Sequence, residues 1–270
     1  MKVTVNDLGG ACHEIVIVKA DTVNSLLAKV REAMDLPASA VVKLYLSSGG
    51  TPIEAGATTL AAQGIDDGAE LSVVVPDSKA LTDKNIGDAV KRWFDPETRQ
   101  AVVDEFGEIG DWQVGGVTDM GFLFYKRTEF NEDLSRWDTS RVTIMFGMFE
   151  GASSFNQPVG AWDTGKVEDM ACMFSGATSF NKRVEKWDTG RVKDMAWMFK
   201  NASSFNQPVE AWDTGRVKDM QHMFDGATSF NKRVEMWDTS KVENMYGMFF
   251  DTPSFNQRPT WYSKTTTPPV

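Results

Sequence analysis

The stretch FNQPVGAWDTGKVEDMACMFSGATS, residues 155–179, runs directly into FNKRVEKWDTGRVKDMAWMFKNASS, residues 180–204, and the two align without a gap. Extended in both directions, the same 25-residue period puts Trp112, Trp137, Trp162, Trp187, Trp212 and Trp237 in one column. Val117, Val142, Val167, Val192, Val217 and Val242 form a second column. Met120, Met145, Met170, Met195, Met220 and Met245 form a third. Phe130, Phe155, Phe180, Phe205, Phe230 and Phe255 form another, each followed by Asn. A 25-residue unit is too short to bury its own large apolar residues, so neighbouring units must stack and share a core. FNQPV at Phe155 and Phe205 alternates with FNKRVE at Phe180 and Phe230, so 151–200 and 201–250 read as a duplicated pair.

Within a unit, Phe155 to Val159 predicts a short extended segment and Trp162 to Thr164 a turn. Val167, Met170, Met173 and Phe174 fall at helical spacing. Pro158 and Pro208 each remove a ladder donor, so pairing there is short or irregular. At a strand spacing of about 4.8 Å, the units would span about 30 Å. The unit, with Phe-Asn in every copy and Trp-Asp-Thr and Asp-Met in most, is very similar to the BspA-like leucine-rich-type repeat of mycoplasma surface lipoproteins. That resemblance implies a curved α/β leucine-rich-type repeat solenoid. It also implies a surface or interaction protein without an assigned activity.

Upstream, Lys2 to Leu8 alternates apolar and polar residues, Gly9 and Gly10 make a turn, and His13 to Val18 runs apolar, which predicts a hairpin. Asp21 is the expected cap of a helix carrying Val23, Leu26, Leu27, Val30 and Met34. Strands over Val41 to Leu46 and Leu71 to Val75 follow, separated by a short turn at Leu60. Residues 1–76 in this order resemble the ubiquitin-like (β-grasp) family, an α+β fold. Pro76, Asp77, Ser78 and Lys79 stand where conjugated relatives end in Gly-Gly, so conjugation is not expected. The resemblance places the family's apolar docking face on Leu8, Tyr45 and Val74. A ubiquitin-like domain joined to such an array suggests an alga or protist. Residues 77–111, with Ile86, Ala89, Val90 and Trp93 on one helical face, predict a helical cap for the array at 112–262, and 263–270 form a polar tail.

The net charge of −10 on 270 residues disfavours nucleic acid and anionic membrane surfaces as general partners. Cys12 and Cys172 make neither a disulfide framework nor a metal-ligand spacing, which points to a reducing, cytoplasmic setting. The N-terminal residues lack a signal peptide's apolar core. For catalysis the inventory is thin. His13 and His222 are far apart, and no phosphate loop, carboxylate pair or nucleophile motif is present. No cofactor, no metal and no enzymatic activity are therefore expected.

The tryptophan column admits sugar stacking, but a core ladder explains it without a ligand. Asp138, Asp163, Asp188, Asp213 and Asp238, and the Asp that precedes most Met residues, admit calcium. Turn capping accounts for them more simply. The exposed variable positions are where specificity is expected: Lys182, Arg183, Lys232 and Arg233, beside Glu185, Glu210 and Glu235. The expectation is a scaffold that binds another protein. The rival readings are an adaptor of the ubiquitin system and a surface or carbohydrate-binding adhesin.

Overall fold

The computed structural model describes residues 2–6, 12–16, 22–34, 43–46, 53, 60, 65, 69–74, 80–257 and 259–262. The chain divides into two compact units, residues 1–79 with 105–107 and residues 80–104 with 108–270.

In the first unit β1 (Lys2–Asn6) pairs antiparallel with β2 (Cys12–Val16) and parallel with β4 (Glu70–Val74). β3 (Lys43–Leu46) pairs antiparallel with β4, which gives the order β2-β1-β4-β3. Helix α1 (Val23–Ala33) buries Val23, Leu26, Leu27 and Val30 in a core with Val5, Ile15, Leu44, Leu60, Ile65 and Leu71. The cap of α1 is Thr22, whose hydroxyl oxygen accepts from the Ser25 N–H at 3.3 Å, one residue beyond the expected Asp21. Thr22 has the extended backbone that lets a hydroxyl turn back on the first turn. Asp21 lies outside the described residues.

The second unit opens with α2 (Ile86–Trp93) and α3 (Arg99–Phe106), whose last two residues are grouped with the first unit, then a 3₁₀ turn at Ile109–Asp111. The buried face of α2 holds Ile86, Ala89, Val90 and Trp93. Trp93 meets Trp112 edge-on at 5.8 Å, and Phe94 meets Phe130 at 5.6 Å, so this end of the array is covered by aromatic contacts. Asp83 supplies acceptors where a preceding coil would. Its carboxylate accepts from the Thr118 N–H at 2.7 Å, the Thr118 hydroxyl at 2.7 Å and the Asp119 N–H at 3.1 Å.

Thereafter each 25-residue unit is one coil. Isolated parallel bridges join Asp119, Ile144, Asp169, Asp194, Asp219 and Asn244 in succession. These positions, and not the Phe-Asn segment, form the backbone ladder. The helical spacing of Val167 to Phe174 also proves to be something other than a helix. The N–H groups of Met170, Cys172, Phe174 and Gly176 donate to carbonyls of the next coil at 2.7–3.0 Å. Those of Met173, Ser175 and Ala177 donate three residues back within their own coil, at 3.0–3.3 Å. Successive three-residue turns reproduce the apolar spacing of a helix while sending alternate donors outward. Two positive-φ positions per coil enforce this. One comprises Phe122, Gly147, Cys172, Trp197, His222 and Gly247. The other comprises Lys126, Gly151, Gly176, Asn201, Gly226 and Asp251. A right-handed helix cannot pass through either.

The remaining columns knit the coils together. Trp162, Trp187, Trp212 and Trp237 are 3–4% exposed, and each indole N–H donates to a carbonyl 28 residues earlier at 3.0–3.1 Å. Buried Thr164, Thr189 and Thr214 donate to the Asp carbonyl of the next coil at 2.9 Å. Along the Phe-Asn segment, Asn181 N–H donates to the Asn156 side-chain oxygen and Asn206 N–H to that of Asn181, both at 3.0 Å. A buried indole covers roughly 150–250 Å², which at about 25 cal/mol/Å² contributes roughly 4–6 kcal/mol gross before ordering entropy.

Equivalent rings in adjacent coils are related by one coil-to-coil step, so their separation is the local rise. It is about 4.8 Å where backbones are bonded. Phe174 and Phe199 are 5.6 Å apart, Phe180 and Phe205 6.0 Å, and Trp187 and Trp212 6.3 Å. The spacing therefore widens from the bonded ladder toward the tryptophan column.

Candidate interaction surface

The coils differ on the ladder face as well as at the Phe-Asn segment. The first positive-φ column carries Phe122, Gly147, Cys172, Trp197, His222 and Gly247. Three residues on stand Tyr125, Glu150, Ser175, Lys200, Asp225 and Phe250. A left-handed backbone costs a side-chain-bearing residue about 1–2 kcal/mol relative to glycine. Glycine occupies this column twice, yet Phe122, Cys172, Trp197 and His222 hold it elsewhere.

At one end Phe122 packs edge-on against Phe146 at 4.8 Å and Tyr125 at 5.4 Å. Phe122, Tyr125 and neighbouring Ile144 are 47%, 39% and 37% exposed, three of the five exposed large apolar residues among those described. Toward the other end Trp197 stacks on His222 at 6.4 Å, and His222 meets Tyr246 and Phe250 edge-on. His222 Nδ1 lies 3.0 Å from the Asp225 carboxylate, which also pairs with Lys200. Between these clusters the wall is low, formed by Gly147, Ala171, Cys172 and Ala196.

Two columns of aspartate have contrasting environments. Asp163, Asp188 and Asp213 are exposed and each accepts from the N–H two residues on at 3.0 Å. In the same column Asp138 and Asp238 are held below the ordinary carboxylate range, first by their serine hydroxyls at Ser140 and Ser240. On the ladder face Asp169, Asp194 and Asp219 make the same local bond, to Ala171, Ala196 and Gln221. Burial, and then neighbouring aspartates, push Asp169 and Asp194 upward. Glu150 is also raised by burial. The Cys172 thiol, desolvated and surrounded by Glu150, Asp194 and Asp169, is pushed up to about 12 and stays protonated.

Of the sequence-derived candidates, Arg183 and Arg233 are exposed and Lys182 and Lys232 half-buried, on an irregular segment rather than a strand. Arg183 pairs with Glu185 at 2.9 Å, and Glu235 accepts from Thr260 N–H and hydroxyl at 3.2 and 3.0 Å. Glu210 is exposed. The two basic pairs stand two coils apart, off the bonded ladder. β3 and β4 pair Tyr45 with Ser72 and Lys43 with Val74; Leu8 and the side chains of Tyr45 and Val74 lie outside the described residues.

Sequence reading passed over two columns. The ladder-face column was visible as the position where Cys172, Trp197 and His222 follow one another between Gly147 and Gly247. An exposed basic column, Arg141, Lys166, Arg191, Arg216 and Lys241, was visible as the Lys or Arg before each valine of that column from Val142 onward. Among the described residues no three or more His, Cys, Asp or Glu side chains gather as a metal site. No helix of the described residues is long and apolar enough to cross a membrane.

No curated protein matches the chain. A solved structure described as a ubiquitin-like protein from the hyperthermophilic archaea Caldiarchaeum subterraneum is 21% identical, with 29% of this chain and all of that chain covered and a TM-score of 0.21. The family model described as "Mycoplasma protein of unknown function, DUF285" matches residues 91–189 and again 180–267, two tandem matches that follow the coils. The chain belongs to this mycoplasma-type repeat family, DUF285.

Proposed function

We propose that this protein is a non-enzymatic scaffold that binds another protein through the ladder face of a BspA-like, leucine-rich-type solenoid. The observation that carries the reading is the retention of Phe122, Trp197 and His222 at a backbone position that glycine fills elsewhere. Side chains kept at a strained position, on a face where coils differ, are the pattern of a recognition surface. A carbohydrate role for the tryptophan column gains no support, because those indoles are buried and their N–H groups bonded to backbone. The first unit, with its parallel β1–β4 pair and one packed helix, fits a ubiquitin-like second contact module. The paucity of cysteine favours a cytoplasmic setting.

Affinity capture from cells of the source organism tests the proposal. It would use the intact chain, an F122G/W197G variant and a K182E/R183E/K232E/R233E variant. A partner kept by the last and lost by F122G/W197G is the expected result. A partner lost only with the basic pairs would move the surface to the Phe-Asn segment, and a partner kept by both variants would move it to the first unit, as the ubiquitin-adaptor reading requires. Recovery of none by the intact chain would overturn the scaffold reading.

A further inference from the structure

The ladder face is apolar at one end and acidic beside it. Phe122, Tyr125, Ile144 and Phe146 form the exposed apolar end, with three of these side chains more than a third exposed. In the following coils the position of Ile144 becomes Asp169, Asp194 and Asp219.

The negative charge in that column is surplus to its structural duty. Each aspartate caps the N–H two residues on, but Asn244 makes the same bond to Tyr246 with a neutral amide, at 3.1 Å. Ile144 occupies the position with no cap at all. Neighbouring carboxylates about one ladder step apart, near 5 Å, repel one another. The groups raising Asp169 and Asp194, apart from burial, are other aspartates, and Cys172 feels the same negative field. Trp197, half-exposed, stands at the edge of this acidic stretch with a ring face for a cation.

We propose that this face docks an extended segment of a partner protein in which an apolar residue is followed by lysines or arginines at alternate positions. The apolar side chain would settle on Phe122, Tyr125 and Ile144, and the cations over Asp169 and Asp194 beside Trp197. In an extended chain alternate side chains share one face at roughly 6–7 Å intervals, which spans one to two coils per step. The inference rests on the scaffold reading and narrows it to one partner chemistry.

The test uses the full chain and a fluorescein-labelled peptide containing Leu-Ser-Lys-Ser-Lys, with Leu→Ser and Lys→Glu peptides as controls, read by fluorescence anisotropy. Binding of the first peptide, at least about tenfold tighter than either control and weakened by salt, is expected. D169N/D194N should weaken it at least about tenfold, and F122G comparably. Both substitutions place residues already native to equivalent positions, so folding is retained, as circular dichroism would verify. Equal binding of the Lys and Glu peptides, no binding, or binding indifferent to D169N/D194N would overturn the assignment. A cellular partner lost by F122G/W197G but kept by D169N/D194N would also overturn it, while leaving the scaffold reading intact.

Discussion

Asp138 and Asp169 do the same local job, each accepting from the N–H two residues on, in columns that repeat at the same period. Their electrostatics run in opposite directions. Asp138 and Asp238 are stabilised as carboxylates by hydroxyl and backbone donors, whereas Asp169 and Asp194 are partly desolvated next to like charges. The outer column therefore supports the fold, and the ladder column carries charge at the fold's expense. A repeat protein can hold both because its stability is a sum over coils, and a strained face in one column is offset by buried columns elsewhere.

The largest effect should fall on neither column but on the core that supports both. W187A is expected to cost about 3–5 kcal/mol in urea unfolding. A cost near zero would mean that the stack does not depend on its tryptophans. Next comes D83A at the covered end, which removes acceptors for three donors of the first coil. Its expected cost is about 1–2 kcal/mol. Asp83 is lowered, chiefly by the Thr118 hydroxyl, so its contribution is present above the unfolded value of 3.8 and is lost as pH falls through the lower folded value.

The same linkage separates the two aspartate columns with opposite signs. Because Asp169 and Asp194 are raised in the folded state, their contribution is complete below 3.8 and is lost as pH rises through the raised values. D169N/D194N should therefore gain on the wild type between pH 4 and pH 7, by less than about 1 kcal/mol given their partial exposure. D138N/D238N should instead lose ground below that interval, as pH rises through the lowered folded values to 3.8, and change little above it. Thermal melts at pH 4, at pH 7 and in more acid buffer would check this, and parallel behaviour of the two pairs would erase the distinction. The smallest effect is kinetic. Cys172 should alkylate slowly at neutral pH in the wild type and faster in D169N/D194N, as carboxylates stop opposing its thiolate.

Much of this was legible in the sequence. The period, the buried Trp, Val, Met and Phe columns, the asparagine ladder and the capping role of the Trp-Asp-Thr aspartates all follow from single residue types recurring every 25 positions. What failed was the local geometry from Val167 to Phe174, because three-residue turns and a helix place Met170, Met173 and Phe174 on the same side. The glycines broke that tie. Gly147 and Gly247, with Gly151, Gly176 and Gly226 four residues further along their coils, mark two left-handed positions that no helix contains. The misreading shifted attention to Lys182 and Arg183, since a strand placed at the Phe-Asn segment makes its neighbours the varied face. With the ladder at Asp169, the varied positions on the bonded face are those of Cys172, Trp197 and His222. The widening from 5.6 Å at Phe174 to 6.3 Å at Trp187 was not legible, because no residue type encodes the difference in spacing between stacked indoles and bonded backbone.

As parts of a recognition surface, the ladder-face aromatics and charges should be dispensable to the fold. The most direct measurement is the urea unfolding midpoint of a variant carrying F122G, W197G, D169N and D194N together. It is expected to equal or exceed the wild type, since glycine relieves two left-handed positions and asparagine keeps both caps without repulsion. A loss of about 2 kcal/mol or more would make these side chains structural and contradict their reading as a recognition surface.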